Sequence, residues 1–339
     1  MTFTEVLPDI ETDDAGNREL KIRHQSTELT EEEADQLRVG ASGYTVQVIP
    51  PGDGPATLDR FVKNIYEPQT KWLGLQNTSP VTCLEIRRTT PDAVRFQFTV
   101  PTKRMERKIR TQLTAEVPDV EFTEGSTGLP VSEGATLGGG LVTTGRLDRY
   151  PLATDFDAPP MNSVAAALHR HAMQDSSFVI QILFQPFVGQ PVRSWWWKKR
   201  AYMRRNSLRK EKEKLWGTRQ PTPRERQQAD AIEDKAGSPR FTVSIRFAII
   251  GAGEYTKSRV KELAGAFNVY ENPETGQYLD AVTVTPFRES QLLDFGQAVA
   301  QQRFGGWSHR FQASTQELAG LLALPTINQE NIATGGAHA

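Results

Sequence analysis

Every second residue from Phe241 to Ile249 is large and apolar: Phe241, Val243, Ile245, Phe247 and Ile249. An unbroken period of two marks a strand with a buried face, and it leaves backbone donors and acceptors along both edges that neighbouring strands must satisfy. The sequence supplies those neighbours in a definite order. SFVIQILFQ sets Phe178, Ile180, Ile182 and Phe184 on one face, LVTTGRLDRYPL (Leu141–Leu152) reads as extended, and AVTVTPF (Ala281–Phe287) follows downstream. Pro159 and Pro160 open a helix carrying Met161, Val164, Ala165 and Leu168. A second helix, starting near Glu254, carries Val260, Leu263, Ala264 and Phe267. The order is β-α-β-β-α-β.

The same order stands once before. Gly43–Pro50 alternates Tyr44, Val46 and Val48, and Leu58, Phe61, Val62 and Ile65 follow at helical spacing. Val81–Arg88 and Val94–Pro101 read as two strands joined by a turn at Pro91-Asp92. Thr102 caps a helix with Met105, Ile109, Leu113 and Val117, and Val120–Glu124 closes the unit. The expected fold is α+β: two tandem ferredoxin-like sandwiches at 41–128 and 136–290, joined by a glycine-rich connection from Gly125 to Gly140. Residues 1–40 read as an acidic mobile arm and 291–339 as a helical tail.

The units differ at one junction. Where the first has a tight turn, the second has residues 188–239, which read as a helical hairpin over 193–236. Trp195–Trp216 lacks Gly and Pro, GTRQPTP breaks it, and Thr222-Pro223-Arg224-Glu225 is a capping box opening a helix through Ala236. The first helix has a thin apolar seam of Trp197, Ala201, Leu208 and Leu215, so the hairpin is expected to project, anchored at its Trp-rich base.

Charge is segregated along the chain. The net charge is −1, yet residues 1–35 hold eleven acids against three bases, and residues 193–226 hold thirteen Lys and Arg against three Glu. Separated blocks of opposite sign point to contact surfaces. The candidate contact residues are Trp195, Trp196 and Trp197, then Lys198, Lys199 and Arg200, then Arg204, Arg205, Arg209 and Lys210. Tryptophan and arginine suit a protein interface. Cations beside aromatic rings suit a nucleic-acid backbone, and the same set suits a bilayer interface. Successive helical residues stand about 100° apart, so three tryptophans cannot share one core face. Two packing on the sheet with one half-exposed is the plain structural expectation.

Other chemistries find little support. Cys83, the one cysteine, rules out an intramolecular disulfide and a multi-cysteine zinc site, and it fits a reducing compartment. MTFTEVLPDIETDD is acidic where a signal peptide is basic, and Phe178–Phe184 is too short to span a bilayer. GAGEYTKS (Gly251–Ser258) follows a strand and opens a helix, as a phosphate loop does, but Thr256 takes the place of the second glycine. His169 and His171 lie two apart and face different ways, while His24, His309 and His338 stand alone. No catalytic residue, metal, cofactor or small-molecule substrate is expected.

Four strings in order resemble a known family. They are PTKRMERKIRTQLTAEVPDVEF, YPLATDFDAPPMNSVAAALHRHAMQDSSFVIQILFQP, DAIEDKAGSPRFTVSIRFAIIG and FQASTQELAGLLALP. Over about residues 81–325 they resemble the region preceding the motor in conjugation- and type IV secretion-type DNA-translocating ATPases of the HerA/FtsK-like superfamily. In that family the E-L-A string leads to a histidine and then to the nucleotide-binding motor. Here Ala323 stands where the histidine belongs, and residues 1–339 hold no motor. The resemblance implies a non-catalytic accessory or assembly domain, cytoplasmic, with the inner face of the membrane as an alternative placement. Its partners are then copies of itself or a motor ATPase, with DNA binding through 193–226 as the alternative.

Overall fold

The computed structural model describes residues 10–12, 18–20, 23–90, 93–170, 173, 175–214 and 217–326. The chain opens with β1 (Ile10–Thr12) paired to β2 (Arg18–Leu20), then β3 (Ser26–Glu28) and α1 (Glu31–Arg38). The first half follows: β4 (Tyr44–Ile49), α2 (Asp59–Ile65), a small hairpin of β5 (Thr70–Lys71) and β6 (Gln76–Asn77), β7 (Thr82–Thr90), β8 (Ala93–Val100), α3 (Lys103–Glu116) and β9 (Glu121–Glu124). The second half begins with β10 (Thr136–Thr144), α4 (Met161–His169) and β11 (Ser177–Pro186). The insert holds α5 (Pro191–Arg209), β12 (Lys212–Lys214), β13 (Gly217–Arg219) and α6 (Pro223–Gly237). Then come β14 (Arg240–Ile250), α7 (Thr256–Ala264), β15 (Leu279–Thr283), α8 (Glu289–Ala300), β16 (Phe311–Ser314) and α9 (Thr315–Leu321). The fold is mixed α+β, and among the described residues no helix is long and apolar enough to cross a membrane.

One ten-stranded antiparallel sheet organises the chain, in the order β15-β10-β14-β11-β7-β8-β4-β9. The halves are not separate sandwiches: β7 pairs with β11 from Thr82–Phe184 to Arg88–Phe178, making one continuous sheet. Two further strands attach at the ends of longer ones. β3 pairs with β10 at Thr136–Gly138, beyond the stretch taken by β15, and β16 pairs with Arg240–Val243 of β14.

Three expectations are corrected here. The arm over 1–40 is part of the fold from Ser26 onward: Thr30 and Glu33 form a capping box for α1, and Leu29, Ala34 and Leu37 are buried. The tail over 291–339 is not simply helical, because β16 enters the sheet; residues 327–339 lie outside the described ones. The glycine-rich connection ends earlier than expected, since β10 starts at Thr136 and carries Gly138, Gly139 and Gly140 within it. A side chain at Gly139 would meet the Phe247 carbonyl at 2.2 Å and the Phe295 ring at 2.7 Å, so close packing explains glycine inside a strand.

Helices cover both faces. On one, Val46, Ile86, Phe98, Ile180, Ile245 and Phe247 pack against α2, α3, α4, α7 and α9. On the other, Leu137, Val179, Ala248 and Ile250 pack against α1 and α8. That second face also carries a buried polar row crossing the seam. Glu85 accepts from Gln97 (2.5 Å), Gln181 (2.7 Å) and Arg87 (3.2 Å), and Arg246 donates to Gln181 (3.1 Å) and to the Ala298 carbonyl (2.6 Å). Burial pushes Arg246 down to about 10, which leaves it a cation at neutral pH. Each buried polar group in this row finds a partner, as a low-dielectric interior requires.

Candidate functional site

The insert is held at its root. Pro191 opens α5 at a position where its missing N–H costs nothing. Trp197 turns inward, and its indole N–H donates to Asp148 Oδ1 at 2.8 Å. The other Asp148 oxygen accepts from the Gln312 amide of β16 at 3.0 Å. The Arg240 guanidinium lies 4.1 Å over the Trp197 ring and donates to Ser194 Oγ (3.1 Å) and Gln312 Oε1 (2.7 Å). Burial lowers Arg240 to about 10, with Asp148 pulling the other way.

A second attachment lies at the far end of α6, where Lys235 Nζ donates to Glu317 Oε1 at 2.8 Å with both side chains buried. Glu317 also accepts from the Leu152 amide and closes the capping box of α9 with Ser314. The sequence reading of Ser314–Glu317 as a capping box holds, but it missed this buried ion pair.

Between these anchors α5 and α6 close on each other. Ala201 and Leu208 meet Ala229, Ile232, Ala236 and Tyr150 in a small separate core. Arg205 pairs with Glu233, and Arg209 pairs with Asp230 (2.5 Å) and Glu233 (2.8 Å). Arg204 turns toward the Tyr150 ring at 6.0 Å. The basic block is therefore partly neutralised by its own hairpin partner, and Arg204, Arg205 and Arg209 belong to the hairpin's packing. α5 ends at Arg209, short of the expected Trp216, and β12 and β13 form the tip; Leu215 and Trp216 lie outside the described residues.

The opposite face of α5 has no such cover. Trp195 and Trp196 are 54% and 48% exposed, their rings 5.2 Å apart and edge to face. Lys199 Nζ sits 4.7 Å from one ring centroid and 5.3 Å from the other, and Arg200 lies 5.9 Å from Trp196. The expectation of two buried tryptophans is thus reversed: one packs and two face outward. At about 100° per residue, Val192, Trp195, Trp196, Lys199 and Met203 fall within one stripe, and Val192 and Met203 are exposed as well. Lys198 and Lys210 are also exposed.

With that surface described, relationships can be stated. The family described as Domain of unknown function (DUF8128) matches residues 19–336. The chain belongs to that family. No curated protein matches it. In this DUF8128 chain the remaining sequence candidates are not gathered into a site. The Gly251 and Gly253 amides donate to Thr136 (both 2.9 Å), the Thr256 hydroxyl donates to the Gly253 carbonyl, and Lys257 is exposed. The Cys83 thiol is buried, and desolvation pushes it well above its ordinary value. His24 meets Glu289 at 3.1 Å, His169 ends α4, and His171 and His338 lie outside the described residues. Among the described residues no group of three His, Cys, Asp or Glu is placed to hold a metal.

Proposed function

We propose that this chain is a non-catalytic assembly domain of a conjugation- or type IV secretion-like translocation machine, acting on the cytoplasmic side at the inner face of the membrane. The observation that carries the reading is α5: its inward face is complete, while its outward face presents Trp195, Trp196 and Lys199. Exposed tryptophan beside a cation is the composition of an interaction hot spot. The order of strings over 81–325 supplies the setting, that of a motor ATPase and of copies of the chain itself. The strand order supports reading each half as a ferredoxin-like unit. Numbered within its half, each runs 4-1-3-2: β9-β4-β8-β7 and β15-β10-β14-β11.

The reading expects a motor ATPase encoded beside this chain, and the test is co-expression with it, followed by capture. Trp195→Ser with Trp196→Ser should lower capture about tenfold or more, as loss of a hot spot does, and leave the melting temperature in place. Equal capture by wild type and variant rejects α5 as the contact element. DNA binding is the weaker reading, because Arg205 and Arg209 already meet acids of α6. Its charge-reversal test belongs at Lys198 and Arg200, where hairpin ion pairs are not disturbed. Retention on DNA that declines steeply with salt, and less steeply in that variant, would favour it.

A further inference from the structure

The most exposed large apolar residue of the described chain is not in α5. It is Leu73, fully exposed at the turn between β5 and β6, with Trp72 beside it at 77% and Leu75 at 63%. Trp72 and Leu73 both adopt left-handed backbone, φ 54° and 53°, a conformation bulky residues rarely take. With Gly74 (φ 84°) they close the β5–β6 hairpin, a turn that Asn and Gly make without strain, so the hairpin needs the backbone conformation but not these exposed bulky side chains. Bulky side chains held there point to a role outside the fold.

The base of this turn is fixed to the end of β11, just before α5. Asn77 Nδ2 donates to the Pro186 carbonyl at 2.8 Å, and Gln69 N donates to Ser79 Oγ at 2.9 Å. Gly189 lets the strands close: a side chain there would stand 2.3 Å from Asn77 N. Leu75, Gln190 and Arg193 line one cleft of about 320 Å³. The turn therefore sits beside the N-terminal end of α5, with Leu75 and Arg193 in one cleft. Charge follows the same boundary. Residues 69–79 and 191–210 include no acid and carry Lys71, Arg193, Lys198, Lys199 and Arg200, with Lys199 and Arg200 beside the Trp195 and Trp196 rings. The nearby Asp148 carboxylate is engaged by Trp197 and Gln312.

We propose that the Trp72–Leu75 turn, with Lys71 and the cations of the first turns of α5, docks this chain on an anionic lipid bilayer. The inference goes beyond the contact reading of α5, which gives Trp195 and Trp196 to a protein partner, and it does not rest on that reading. Tryptophan prefers the headgroup level, leucine the acyl boundary, and lysine and arginine the anionic surface. A fully exposed leucine at a hairpin tip needs no complementary pocket in lipid, whereas a protein partner would have to supply one.

The experiment is vesicle flotation of the full chain with phosphatidylcholine alone and with about 30 mol% phosphatidylglycerol, whose surface charge attracts nearby Lys and Arg. Wild type should float with the anionic vesicles, less so at high salt, and remain below with the neutral ones. Trp72→Ser with Leu73→Ser should reduce flotation about tenfold or more, as loss of two buried apolar groups does, and Lys198→Glu with Arg200→Glu should do the same. Both pairs are exposed, and an unchanged melting temperature verifies the fold. Failure of wild type to bind anionic vesicles overturns the inference, as does a turn variant that floats like wild type. If the turn variant instead changes sedimentation while no form floats, the surface meets a second copy and the bilayer is wrong. If Trp195 and Trp196 variants lose capture by the motor while no form floats, the contact reading survives and only the bilayer falls.

Discussion

The two halves of the sheet carry the same elements, but β7 and β8 are separated by two residues and β11 and β14 by residues 187–239. The shorter junction shows what the sheet requires. Strands β8 and β14 make the same ladder contacts in their halves, so the long insert is not needed to bring β11 and β14 together. Yet the insert is not a free appendage. Trp197 ties its entrance to Asp148 and Gln312, and Lys235 ties its exit to Glu317. The comparison separates a rooted part, which belongs to the fold, from a distal part and an outward face that do not.

The sharpest way to break that distinction is Lys235→Ala. It leaves the Glu317 carboxylate buried opposite no cation, and losing one partner of a buried pair costs about 3–5 kcal/mol. Thermal or urea unfolding should show this directly. Adding Glu317→Gln, which keeps an oxygen for the Leu152 amide and removes the charge, should recover part of the loss. Replacing only Lys210–Gln220 by a short glycine turn should leave stability near wild type, whereas deleting Lys198–Ala236 should resemble Lys235→Ala. If the full deletion is as stable as wild type, the exit of the insert is not rooted.

A smaller effect tests how the second half closes. Gly139→Ala places a methyl group against the Phe247 carbonyl and the Phe295 ring, and overpacking of this kind costs about 1–3 kcal/mol. Gly52→Ala in the first half meets nothing within 4 Å and has ordinary backbone. It should be neutral or slightly stabilising, by about 0.4–1 kcal/mol at most. Equal melting temperatures for the two variants would show that α8 does not press on β10 as closely as the structure has it.

What the sequence made legible follows from range. Period-two runs such as Phe241–Ile249 and helical stripes such as Met105, Ile109 and Leu113 are local, and they located most strands and helices of both halves; Leu141–Leu152, read as extended, is strand only to Thr144, and β10 begins before it at Thr136. The β7–β11 seam was not legible, because both strands are apolar on alternate positions and nothing local says whose edge each meets. Glycine misled at β10, where its reason is a ring from α8 rather than a turn. At the surface, the rarity of three tryptophans drew notice to α5, but Asp148 and Arg240 decide which one packs, and both lie far away in sequence. The Trp72–Leu75 turn escaped because three apolar residues about a glycine have no period. Bulky residues crowding a glycine turn were the signal that could have found it.

The smallest effect is one of pH, and it tests the first half alone. Glu67, just after α2, is held down to about 2, chiefly by the hydrogen bond from Arg104 and then by Lys108, against partial burial that pushes it up. A carboxylate lowered in the folded chain contributes stability that is fully present above its ordinary value of 4.5. That contribution is lost as pH falls through 4.5 toward about 2. Arg104 is exposed, so water and salt screen much of the pair. Wild type should melt above Glu67→Gln by a constant margin from pH 7 down to about 5, where the carboxylate is charged in both the folded and the unfolded chain. The margin should shrink below that and vanish near pH 2. A Glu67→Gln margin that persists to pH 2 would mean that packing, not charge, ties α3 to the segment after α2.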